Sequence, residues 1–162
     1  KGGLGEPGAP ARAACGNDGG PLLTVHAASE YAIETLKLPV KNVLAGVRNT
    51  DFYAPGSILG VELNRASPLT ATMTAPVPGI WFENSPAFEI TDVSKATAVL
   101  TYQPNGDPLL SGWLLGGAKL NGKVAMVDAA VGKGHVVLFG FRPQYRGQTM
   151  ATQPLIWSSI LR

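Results

Sequence analysis

Six polar side chains crowd into eight residues near the C-terminus: Arg142, Gln144, Tyr145, Arg146, Gln148 and Thr149. The run before them, His135 to Phe141, is almost wholly apolar and reads as a strand covered on both faces. In open α/β sheets, ligands sit beyond the carboxyl ends of the strands, which is where this loop must lie if Val136 to Phe141 is a sheet strand. Guanidinium forks suit carboxylates, and glutamine and threonine add neutral hydrogen bonds. The same arginines suit a structural role, tying the loop to acidic side chains or helix-end carbonyls of the chain itself. Arg142, directly after the strand, is expected to be the structural one, and Arg146, beyond Pro143, the more available.

A second group lies in LLTVHAASEYAI, Leu22 to Ile33, which reads as strand, tight turn and helix. Such an elbow exposes its central side chain at the sheet edge, beside helix N-terminal amides that can hold an oxyanion. A hydrolase needs Ser or Cys there, closely flanked by small residues; this elbow reads His26-Ala27-Ala28-Ser29. Ser29 is better explained as the helix N-cap. His26 is kept as a ligand-binding candidate at the cleft. His26 and Glu30 are four apart, a spacing that puts both on one face only if both are helical, and His26 is expected to end a strand. With His135 at the start of another strand, the two histidines read as hydrogen-bonded structural residues, and no metal site is expected.

The elements that must position these groups fit one domain. The chain has 162 residues, 45% hydrophobic, enough for a sizeable core and not disordered by composition. No run of about 18 apolar residues marks a membrane span. The net charge of +2 is scattered, with no basic stripe, so nucleic acid is not an expected partner. The single cysteine, Cys15, excludes an internal disulfide and a multi-thiolate zinc site within one chain.

Along the chain, residues 1–21 are rich in Gly, Ala and Pro and read as an irregular segment before a domain over 22–162. Strands are expected at Leu22–Val25, Ser57–Leu63, Trp81–Phe82, Phe88–Ile90, Ala96–Tyr102, Lys123–Ala130 and His135–Phe141. The last two form a hairpin across Gly132-Lys133-Gly134. Helices are expected over Ser29–Leu38, stopped by Pro39, and over Pro154–Leu161. The second is apolar enough to be compatible with an oligomerisation element.

The stretch GKGHVVLFGFRPQYRGQT, Gly132 to Thr149, resembles the C-terminal region of bacterial zinc carboxypeptidases of the carboxypeptidase A type. In those proteins a class I glutamine amidotransferase-like domain follows the peptidase domain. YAIETLKLPVKNVL, FYAPGSIL, SPLT, WFENSPAF and DPLLSGWLLG look like that appended domain in the same order, so the resemblance covers Leu22 to the C-terminus. GFRPQYRGQT is its most specific piece. Met150 stands where relatives often have a histidine after the final QT.

The resemblance implies an α/β, flavodoxin-like (class I glutamine amidotransferase-like) layered sheet with flanking helices, its first strand or strands lying before Lys1. It implies that the zinc ligands, a His-x-x-Glu pair and a later His, belong to the parent peptidase domain, leaving no cofactor in this chain. His26 and Glu30 have the wrong spacing for that pair. Amidotransferases carry a cysteine at the elbow and a downstream His-x-Glu, and neither is present here. The expectation is a non-catalytic accessory domain that braces the parent peptidase or binds peptide or glycan. The alternative is a divergent hydrolase using the cleft near His26 and the Arg142–Thr149 loop. The parent family also implies export, to the periplasm or outside the cell.

Overall fold

The computed structural model describes residues 19–74, 78–147 and 149–161. Cys15, most of the N-terminal segment and Gln148 lie outside the described residues. The fold is a mixed α/β arrangement with a sheet-based core and few helices, and the described strands close no barrel.

The larger sheet is organised by two strands, β9 (Val124–Val131) and β10 (Gly134–Phe139). They pair antiparallel across a tight Gly132-Lys133 turn, where Gly132 takes a φ of 58°. On its other side β10 pairs parallel with β1 (Pro21–Val25), which begins one residue before the expected domain boundary. β9 pairs with β7 (Ala96–Thr101) and touches β6 (Phe88–Ile90), and β6 carries β2 (Val40–Asn42). β4 (Glu62–Leu63) extends the sheet beyond β7. A smaller sheet runs β5 (Gly79–Phe82), β3 (Ser57–Gly60) and β8 (Leu109–Ser111).

The expected strand Ser57–Leu63 is therefore two strands in different sheets. Its break falls at Val61, whose N–H leaves the ladder for Pro78 O at 3.2 Å. β2 and β8, three residues each, are additions to the expected set.

Alternation along β10 explains why its whole sequence is apolar. Val137 and Phe139 face one core with Leu59, Phe82, Tyr102, Met126 and Leu155, while Val136 and Leu138 face the other with Ala32, Phe88 and Val127. Helix α1 (Ala27–Leu36) supplies Ala32 to the second core, and helix α2 (Gln153–Ile160) supplies Leu155 to the first. The helices thus cover opposite faces, and β10 is buried on both. Tyr102 lies wholly inside, and this burial pushes its phenol above the usual tyrosine range. Gly140 ends β10 where only a hydrogen fits, because a Cβ there would lie 2.5 Å from Pro86 O.

Helix α1 corrects the expected Ser29–Leu38 boundaries. It starts at Ala27, with His26 at the N-cap position and no side-chain cap. Ser29 sits in the first turn, fully buried, its Oγ donating to Phe139 O at 3.0 Å. The parallel β1–β10 pairing brings that carbonyl under the helix start, where it also accepts from His26 N at 2.9 Å, so the hydroxyl is drawn into the sheet instead of capping. At the other end Lys37 takes the left-handed conformation and closes the helix onto Ile33 O.

Candidate functional site

The turn from β1 into α1 is sharper than ordinary chain geometry. His26 has φ 55° and ψ −129°, a region nearly confined to glycine, and a non-glycine residue there costs about 1–3 kcal/mol. Buried Thr24 two residues before it and Ala28 two residues after it are small enough to let the turn close against the sheet. This is the construction of a nucleophile elbow, with histidine at its apex.

The imidazole is tied across the sheet end. His26 Nε2 lies 3.0 Å from Glu83 O. A carbonyl oxygen only accepts, so Nε2 carries the proton, and in the neutral ring Nδ1 is left as the basic nitrogen. Glu83 in turn accepts Arg142 Nη1 at 2.9 Å through its carboxylate. Ser85 Oγ closes the turn beneath it, accepting from Glu83 N at 3.2 Å. Asn84, at the tip, holds φ 45° and donates its N–H to Ala54 O at 2.9 Å.

Beside this tie opens a cleft of about 290 Å³, lined by His26, Glu30, Asn42, Asn49, Asn84 and Ser85, with Leu44, Val47 and Phe52 along its apolar wall. That volume is at the small end for a ligand site and suits one sugar ring or one or two amino-acid residues. Asn42 is committed to the fold, since its Oδ1 accepts from Leu44 N and Ala87 N and its Nδ2 donates to Glu30 Oε1. Asn49 and Asn84 are exposed. A smaller cavity of about 190 Å³, between β1 and α1, is lined mainly by Leu22, Leu23, Tyr31 and Leu36 and carries no comparable polar set.

Of the ligand-binding candidates expected from the sequence, His26 alone lines the cleft; Glu30, considered only as its metal partner, lines it too. The C-terminal loop sits next to it, joined through the Arg142–Glu83 pair, and is largely closed on itself. Tyr145 stacks on Trp81 with centroids 4.9 Å apart and an 11° interplanar angle. Arg142 and Arg146 each place a guanidinium 5.5 Å from the Tyr145 ring centre. Thr149 is buried, its Oγ1 sharing a hydrogen bond with Thr152 Oγ1, and Thr152 donates to Pro143 O, which folds the loop back. Gln144 and Arg146 are exposed, and Gln148 lies outside the described residues.

Arg142 is paired with the Glu83 carboxylate, and Arg146 is exposed. The two histidines are held apart. His135 is the second residue of β10, at the end opposite His26, and its Nδ1 lies 3.0 Å from the buried Asp128. Among the described residues, no three of His, Cys, Asp and Glu come together as a set of metal ligands. Asn49, Asn84 and Ser85, which also line the cleft, are not among the residues expected from the sequence. The sequence signal that bears on them is the Asn84-Ser85-Pro86 turn between the strands expected at Trp81–Phe82 and Phe88–Ile90.

No family model matches the chain, and no curated protein matches it. Among solved structures it is similar to the cytoplasmic protein STM3548 from Salmonella typhimurium, with a TM-score of 0.57 and 14% identity over 94% of this chain. The matched region spans 58% of that protein's length. At that identity the likeness concerns the fold alone. Among the described residues, no helix is long and apolar enough to cross a membrane.

Proposed function

We propose that this chain is a non-catalytic accessory domain of a zinc carboxypeptidase-like protein, flavodoxin-like in its layering, that binds peptide or glycan in the cleft beside His26. The single observation behind the binding role is the cleft itself, whose exposed polar groups are the neutral amides of Asn49 and Asn84 beside an apolar wall. Neutral amides hydrogen-bond hydroxyls and peptide groups without demanding a charged ligand. Three polar groups that chemistry could use are already engaged: Ser29 by Phe139 O, Glu30 by Asn42 and His26 Nε2 by Glu83 O. The layered reading rests on the two helices covering opposite faces of the β1–β10 pair. The tie to a peptidase parent rests on the sequence resemblance, and zinc belongs to that parent domain.

The test is titration with N-acetylglucosamine oligomers and with short peptides bearing a free C-terminus, followed by amide chemical shifts. Shifts confined to the cleft and abolished in Asn49→Ala support the reading. Saturating concentrations of both probe classes without cleft shifts would sink it.

The strained elbow supports a second reading, a divergent hydrolase in which His26 Nδ1 takes a proton from an attacking water. Turnover of a peptide or ester substrate, lost in His26→Gln with the fold intact, would replace the first reading with the second.

A further inference from the structure

Helix α2 and the 3-10 turn before it, Met150–Thr152, contain no charged residue from Met150 to Leu161. Their inward face carries Thr152, Leu155 and Ser159, all buried. Their outward face carries Met150 (71% exposed), Trp157 (62%), Ile160 (46%) and Leu161 (80%). Trp157 and Ile160, three apart, share one side of α2, and Met150 and Leu161 flank its two ends. A surface helix of a monomer ordinarily turns charged residues outward, whereas this one turns large apolar side chains outward.

Two properties of the face select its cover. An isologous contact sets every group near its own copy, so a charged face repels itself unless opposite charges alternate; among its described residues this face has no charge to repel. Its area is also sufficient. With an aromatic side chain offering on the order of 200 Å², the four residues expose roughly 500 Å² per copy, so a symmetric pair buries about 1,000 Å² in total, the lower bound of a specific interface.

We infer that α2 is a self-association surface: two copies of this chain pair through their α2 helices about a twofold axis, with Trp157 as the central anchor. Such anchors are enriched in tryptophan and dominate the interface they occupy. The other exposed apolar cluster, Leu110, Trp113 and Leu115 near the edge of the small sheet, is a natural control. The pairing leaves the His26 cleft outside the contact, so it stands whether or not that cleft binds peptide or glycan.

Sedimentation equilibrium of the 162-residue chain across a wide concentration range tests the inference. A concentration-dependent dimer is expected, and Trp157→Glu should weaken it by about 30-fold or more, the loss of one hot-spot side chain. Far-ultraviolet circular dichroism of the variant checks that it folds; if it does not, Ile160→Lys is the second variant, with the same expectation. A chain that stays monomeric at the highest concentration overturns the inference. So does a dimer that survives both α2 variants, or one that is lost only with Trp113→Glu.

Discussion

The imidazole of His26 reaches Glu83 O at 3.0 Å across 57 residues of chain, while its own backbone sits at φ 55°. The bond and the strain oppose each other, and substitution separates them. Glycine adopts this backbone freely, whereas alanine keeps the strain and loses the bond. His26→Gly is therefore expected to be more stable than His26→Ala by about 1–2 kcal/mol. Urea unfolding of both variants measures the difference; equal midpoints would mean that the elbow is relaxed in solution.

Arg142 and Arg146 should respond unequally. The Arg142–Glu83 pair is partly exposed, at 36% and 32% of the side chains, so Arg142→Ala should cost about 1 kcal/mol. Arg146 has φ 47° and no carboxylate among its described contacts, so Arg146→Gly should leave stability unchanged or raise it by about 0.5 kcal/mol. Thermal unfolding of the two variants decides it, and a larger loss at Arg146 would reverse the roles.

Leu138 is fully buried in β10. Leu138→Ala should cost about 2–5 kcal/mol in chemical denaturation, as truncation of a close-packed leucine does. A loss within the range of a surface substitution, about 0.5 kcal/mol, would contradict the two-sided burial of this strand.

Glu89 on β6 accepts from Lys123 Nζ at 2.7 Å and from Lys41 Nζ at 3.1 Å. The Lys123 hydrogen bond first, and Lys41 after it, hold its carboxyl below the usual glutamate value. The unfolded chain binds this proton at higher pH than the folded chain does. Stability therefore rises with pH across the interval between the two values, and is lost as pH falls through the folded one. Glu89→Gln should flatten the acid limb of a stability–pH curve, and an unchanged acid slope would show that the pair is solvent-separated.

The hairpin of β9 and β10 was legible because two long apolar runs flank a Gly-Lys-Gly turn, so local pattern and tertiary pairing agree. β2 was not, because Val40-Lys41-Asn42 is too short to show a period and becomes a strand only by pairing with β6. The start of α1 was misplaced for a related reason. A serine before an apolar run signals a cap, and nothing local reports that Phe139 O waits beneath it. The elbow was legible as an element, since strand, turn and helix each have local signatures. The cleft was not, because Glu30, Asn49 and Asn84 come from three separate segments that only the fold brings together.

The parallel pairing of β1 with β10 also sets the order in which the chain can fold. Ser29 meets Phe139 across 110 residues of sequence, so β1 has no ladder partner among the described strands until β10 has been made. Closing so long a loop carries a large entropic cost before its contacts form, which places β1 docking late and makes it slow. During synthesis the β9–β10 hairpin, with its two-residue turn, assembles as soon as it emerges, whereas Leu22 and Leu23 wait with apolar surface uncovered. A refolding experiment should accordingly show β10 amides protected from hydrogen exchange on the β9 side before those of β1.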